Sequence, residues 1–114
     1  YSFDEVCAAN AAGNCWLLID GMVMDVGSWL PEHPGGSTII PAQGLNLDAS
    51  RMFEVYHVSR ESFLYLKEFY IGELAAEDVP FVPCSERPSP DFLQQLREFT
   101  PWRMAVQSKT YKSF

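Results

Sequence analysis

LPEHPGGSTII, residues 30–40, sets a histidine against a proline and two glycines, with an apolar run directly behind. Pro-Gly-Gly marks a turn, and Gly35 and Gly36 admit backbone angles and close approaches that other residues resist. His33 is therefore held at one point of the chain, just before a reversal. A second histidine, His57, follows 24 residues later, and the chain has no others. Each stands at the end of an apolar stretch, SWLPEH before the first and MFEVYH before the second. Ile39, Ile40, Leu45, Leu47 and Phe53 lie between them and read as a lining rather than a solvated surface.

Two imidazoles across an apolar slot suit a haem, which brings a flat apolar macrocycle and an iron with two axial positions. A backbone carbonyl taking the Nδ1 proton would fix each ring with Nε2 toward the metal. The rivals are weaker. A structural zinc site needs four ligands, and Cys7, Cys15 and Cys84 offer no supporting spacing. No nucleophile elbow or oriented triad accompanies either histidine. No C-x-x-C-H occurs, so covalent haem attachment is not indicated. Two satisfied structural histidines remain open at this point.

At 114 residues the chain is one domain, or one domain with an appendage. No apolar run approaches the roughly 20 residues that a membrane span needs, and no secretory leader is legible at the start. The missing initiator methionine suggests a domain taken from a larger protein. Three cysteines without a close motif suit a reducing, cytosol-facing compartment better than a disulfide framework. The net charge of −7 is uneven: residues 1–74 carry ten acidic and three basic side chains, residues 75–114 five of each. That disfavours nucleic acid, which wants a basic footprint. It suits an acidic surface that steers a basic protein.

Residues 1–74 read as a compact α+β unit. Ser2 and Glu5 form a capping box for a short helix. CWLLID and MVMDV are β-prone runs joined by Asp20-Gly21, a hairpin dipeptide. Ser28 would cap a short turn, and Ser37 a helix limited by Pro41. Asp48 and Ser59 would cap ASRMFEVYH and RESFLYLKEF, the latter with Phe63, Leu66 and Tyr70 at helical spacing. YIGEL closes the unit. Residues 75–90, with Pro80, Pro83, Pro88 and Pro90, read as a linker or strap. SPDFLQQLREF then predicts a helix with Ser89 at its N-cap, Pro90 at its first position and an apolar stripe of Phe92, Leu93, Leu96 and Phe99.

HPGG with a second histidine 24 residues on, preceded by WLLIDGMVMDV and followed by FYIGEL, resembles the cytochrome b5 haem-binding domain. The resemblance runs from Tyr1 to about Leu74. It implies an α+β fold in which a small mixed β-sheet and short helices form a haem pocket, with residues 75–114 as a C-terminal extension carrying one helix. It makes His33 and His57 the axial ligands of a non-covalent haem b. Trp29 stands where the family usually has a phenylalanine beside the haem, with Leu30 next to it. Ile39 and Ile40 match the apolar pair behind the first ligand, Phe53 an aromatic before the second, and Val55 and Leu64 further wall residues. The sequence departs in three places. Ser37 and Thr38 replace frequent acidic residues. The loop IIPAQGLNLD is shifted by one. Val58, just after the second ligand, lacks a side chain to bond a haem propionate, which leaves Ser59 for that contact.

The resemblance implies one-electron transfer through a six-coordinate iron. A flavin-dependent reductase would be the donor and an acceptor oxidoreductase the recipient, fused in the manner of front-end fatty-acyl desaturases. Glu32, Asp48, Glu54 and Glu61 are expected around the exposed haem edge. The alternative is an interaction or ligand-binding module of the same fold, docking through the helix at 89–100.

Overall fold

The computed structural model describes residues 1–28, 44–56, 60–84 and 86–103; the side chains at 56, 60–62, 64 and 65 also lie outside that description. Helix α1 spans Phe3–Ala11 and begins with the expected reciprocal cap. Ser2 Oγ accepts from the Glu5 amide at 3.1 Å, and Glu5 Oε1 accepts from the Ser2 amide at 3.2 Å. Two orphan amides of the first turn are thereby satisfied.

Strands β1, Trp16–Ile19, and β2, Met22–Asp25, form the predicted hairpin. Asp20 and Gly21 turn through φ of 51° and 79°. Both central residues of this turn need positive φ, which Asp tolerates and Gly adopts freely. Strand β3, Tyr70–Glu73, pairs antiparallel with β2 to complete a sheet of order β1-β2-β3. A parallel bridge between Leu18 and Asp48 makes the arrangement mixed at one edge. The helical stripe expected to include Tyr70 stops one residue earlier, because pairing with Met24 draws Tyr70 into the sheet.

Both faces of the hairpin are covered, which explains its nearly continuous apolar sequence. Leu17, Ile19, Met22 and Met24 face the main core, with Phe63 and Leu66 of the third helix. Leu18 and Val23 face the other way, onto Val6 of α1 and Leu74. Gly72 in β3 leaves room for a ring: a Cβ there would lie 2.8 Å from Tyr1 Cε2. The Tyr1 ring then meets Trp16 edge-on, with centroids 5.1 Å apart.

Helix α2 spans Ser50–Tyr56 and helix α3 spans Arg60–Phe69. Asp48 caps α2 as expected, although from further out than an N-cap residue: its Oδ1 accepts from the Ser50 amide at 2.9 Å, two residues on. The start of α2 is bolted to the hairpin. The Ala49 amide donates to the Leu18 carbonyl at 2.7 Å, and Ser50 Oγ accepts from the Asp20 amide at 2.7 Å. The expected caps at Ser37 and Ser59, and the turn following Ser28, fall outside the described residues.

Residues 75–84 and 86–89 cross the surface as a strap rather than hanging free. The Ala75 amide donates to the Tyr1 carbonyl at 2.6 Å, the Phe3 amide to Asp78 Oδ2 at 2.9 Å, and the Asp48 amide to the Pro83 carbonyl at 2.9 Å. A short 3₁₀ turn, Val79–Phe81, interrupts the strap. Helix α4, Pro90–Glu98, starts at Ser89, whose Oγ accepts from the Phe92 amide at 3.2 Å. Its stripe packs onto the main core: Phe92 and Leu96 are buried, and Leu93 and Phe99 rest against them. The face that an interaction module would present to a partner is spent within the chain.

Candidate functional site

His33, with Trp29, Leu30, Ile39 and Ile40, lies outside the described residues, and so does His57. The structure therefore does not bring the two imidazoles together or hold them apart. It does describe the helices on either side of position 57. Helix α2 ends at Tyr56 and α3 resumes at Arg60. Of the expected wall residues, Leu64 lies in α3 with its side chain outside the description, whereas Phe53 and Val55 are described in full.

Phe53 is half-buried in an aromatic group that spans three helices. Its ring centroid lies 5.9 Å from Phe63 of α3 and 6.1 Å from Phe92 of α4. Phe63 in turn lies 5.8 Å from Phe92 and stacks on Phe99 at 5.6 Å. Tilted rings at these separations are favourable beyond the area they bury. Val55, two residues before His57, presents open apolar surface and is 55% exposed. Apolar Phe53 and Val55 on the helix leading to His57, together with two imidazole donors in the chain, fit a haem.

Other metal chemistry finds no support among the described residues, where no group of three His, Cys, Asp or Glu could hold an ion. All three cysteines are free thiols. Burial, reinforced by Asp25, pushes the Cys15 thiol up from its ordinary value, so it stays protonated and a poor ligand.

Two of the acidic groups expected around the haem edge, Glu54 and Asp48, are engaged within the fold. Glu54 is turned inward, its side chain only 13% exposed. Ser89 donates to it twice, from its amide to Oε1 at 3.1 Å and from Oγ to Oε2 at 2.5 Å. Arg51 Nη1 adds a bond to Oε1 at 2.7 Å, while Arg51 Nε reaches Glu86 at 3.2 Å. The Ser89 hydroxyl, followed by Arg51, holds the Glu54 carboxyl below the usual glutamate range. Asp48 is occupied with capping α2. Glu32 and the Glu61 side chain lie outside the described residues. The tie between Glu54 and Ser89 was not expected from sequence. Its only local sign is a serine before a proline, which marks the N-cap but not the carboxylate 35 residues away that shares it.

A second polar cluster secures the far end of the hairpin. Arg103 binds Asp20 and Glu73, and Arg97 Nη2 binds Asp20 Oδ1 at 2.9 Å. The Tyr70 hydroxyl donates to Glu73 Oε2 at 2.6 Å, and its ring meets Trp102 edge-on at 4.7 Å. Burial and the neighbouring Glu73 raise the Tyr70 hydroxyl well above the ordinary tyrosine value, which keeps it a donor.

Comparison with known proteins accords with this architecture. The family described as "Cytochrome b5-like Heme/Steroid binding domain" matches residues 2–75, so the strap beyond Ala75 and helix α4 lie past the match. Human cytochrome b5 type B is 37% identical over 89 residues, covering 78% of this chain and 59% of that protein. Cytochrome B5 isoform D of Arabidopsis thaliana is 33% identical over 110 residues, covering 87% of this chain and 78% of the relative. Delta(5) fatty acid desaturase A of Dictyostelium discoideum is 34% identical over 100 residues, covering 86% of this chain. The chain spans only about a fifth of that desaturase's length. With the three-stranded sheet and helices α1 to α3 inside the matched residues, the chain belongs to the cytochrome b5-like haem/steroid binding domain family, as a haem-binding electron-transfer module whose cofactor is haem b.

Proposed function

We propose that this chain holds haem b between His33 and His57, one imidazole on each face, and relays single electrons from a flavin-dependent reductase to an acceptor oxidoreductase within a longer protein. The observation that carries the reading is the pairing of His33, in His-Pro-Gly-Gly, with His57 directly after helix α2. The family's description names both haem and steroid, and two imidazoles are the donors that iron takes. Trp29, Leu30, Ile39, Ile40, Phe53, Val55 and Leu64 would line the pocket. Their apolar surface excludes water and disfavours added charge at the metal.

When bound, haem supplies reversible one-electron exchange at its iron. The protein's part would be to offer the iron a neutral imidazole nitrogen from each of His33 and His57, a donor set that disfavours oxygen binding, and to keep one haem edge within reach of a partner. The fused arrangement is supported by a desaturase relative far longer than the matched region. The same relative, a fatty acid desaturase by name, supports a lipid-modifying acceptor. Three free thiols suit a cytosol-facing location, and no described helix is long and apolar enough to cross a membrane.

The deciding experiment is an absorbance spectrum of the haemin-supplied chain before and after dithionite, alongside His33→Ala and His57→Ala. The expected result is a sharp low-spin reduced spectrum, lost in either variant and unchanged by carbon monoxide. Carbon monoxide binding in the parent would show an open axial position and overturn the two-histidine reading.

A further inference from the structure

We propose that helix α4 is a clamp on the helix that leads to the second haem ligand, with Ser89 and Phe92 as positioning residues for His57. The proposal rests on the reading of His57 as a ligand.

Both oxygens of Glu54 are taken by one residue of the extension: the Ser89 amide holds Oε1 at 3.1 Å and its hydroxyl holds Oε2 at 2.5 Å. Glu54 sits on α2, three residues before His57. The same hydroxyl accepts from the Phe92 amide at 3.2 Å, so one oxygen both starts α4 and ties it to α2. Arg51, three residues before Glu54, joins the carboxylate to Glu86 and gives the strap a second hold on α2. Phe92 is an apolar wedge beside this polar latch. Its ring contacts Phe53 of α2 at 6.1 Å and Phe63 of α3 at 5.8 Å. Helix α4 therefore grips both helices that flank position 57.

The grip matters because α2 has only seven residues. A helix that short has no stability of its own and takes its pitch from whatever it packs against. The carboxylate is an ionised acceptor, so its bonds to Ser89 are of the stronger kind. A change of pitch at α2 would be delivered to the imidazole that follows, and ligand orientation tunes a metal site. The matched family region ends at residue 75, so this control is applied by residues beyond it.

The test uses the haem-loaded chain with Ser89→Ala, Ser89→Thr, Glu54→Gln and Phe92→Leu. Residue-resolved hydrogen exchange is followed in α2, with α1 as internal reference. It is accompanied by the electron paramagnetic resonance spectrum of the oxidised form and the rate of haem loss to an apoglobin scavenger. We expect Ser89→Ala and Glu54→Gln to exchange the α2 amides about tenfold faster while α1 is unchanged. They should also move the low-spin resonances and speed haem loss by about the same factor, with Ser89→Thr restoring the parent's values. Phe92→Leu should act in the same direction. Unchanged exchange in α2, or equal acceleration in α1, overturns the clamp. Faster exchange in α2 with unmoved resonances and haem loss reduces α4 to a structural role and overturns the positioning claim. Failure of the ligand reading shows separately, as a parent spectrum that survives His57→Ala.

Discussion

Arg103 reaches back 83 residues to Asp20 and holds it at two atoms, Nη1 to Oδ2 at 3.1 Å and Nη2 to the backbone carbonyl at 2.9 Å. The guanidinium also binds Glu73, so the hairpin tip, the end of β3 and the residues after α4 meet at one cation. Its side chain is mostly buried, unlike that of Arg97, which is 60% exposed. That difference ranks the two arginines. Arg103→Ala removes the cation shared by two poorly solvated carboxylates, leaving Asp20 with Arg97 and Glu73 with the Tyr70 hydroxyl, and should cost about 2 kcal/mol, less than a fully buried pair. Arg97→Ala should cost under about 1 kcal/mol. Urea unfolding followed by circular dichroism checks both, and equal costs would show that burial does not decide the matter.

The extension is part of the core and should behave as such. Leu96 is fully buried in the main cluster, so Leu96→Ala should destabilise the domain by about 2–5 kcal/mol. Phe81 is 78% exposed on the strap, and Phe81→Ser should lie within about 0.5 kcal/mol of the parent. The check is the same urea titration. A parent-like midpoint for Leu96→Ala would mean that α4 does not contribute to stability.

Glu54 gives the fold an acid sensitivity with a definite sign. Its folded-state carboxyl titrates below the ordinary glutamate value, chiefly through Ser89 and then Arg51. The unfolded chain therefore binds the proton first, and the stabilisation is fully present above the ordinary glutamate range. It should fade as pH falls through that range to the lower folded value. Glu54→Gln should flatten this portion of the stability–pH curve, lying below the parent above pH of about 6 and converging on it at the acid end. Unfolding midpoints measured across the acid range, parent against variant, decide it.

The charge distribution predicts a salt effect on electron exchange. With a net charge of −7, reduction by a basic protein partner should slow as ionic strength rises from about 0.05 to 0.5 M, because screening shortens the reach of the acidic surface. Glu54 and Asp48 are engaged inside the fold, so Glu54→Gln should leave the slope of this dependence unchanged. Stopped-flow reduction rates against salt supply the measurement. A flat profile would remove steering from the account.

What could be read in the sequence depended on distance along the chain. Ser2 with Glu5, Asp20 with Gly21 and Ser89 before Pro90 were legible because a cap or a tight turn is satisfied by residues two or three apart. The stripe of Phe63 and Leu66 was legible for the same reason, whereas Tyr70 was misplaced because its partner in β2 lies far upstream. Glu54 was expected among the acidic groups around the exposed haem edge. Nothing near it announces that Ser89 lies opposite, since that contact exists only after α4 has docked through Phe92 and Leu96. The haem ligands belong to another category: His33 and His57 were read from donor chemistry and from resemblance, and they lie outside the described residues.

The first residue of the chain and residue 75 share a backbone hydrogen bond of 2.6 Å, and the Tyr1 nitrogen donates to the Glu73 carbonyl at 2.9 Å. The way into the family's core and the way out of it thus lie side by side, separated by about the width of one strand pairing, roughly 4.8 Å. A host could thus hold the matched residues through one narrow doorway, but the strap and α4 have to travel with them, because Phe92 and Leu96 fill the same core.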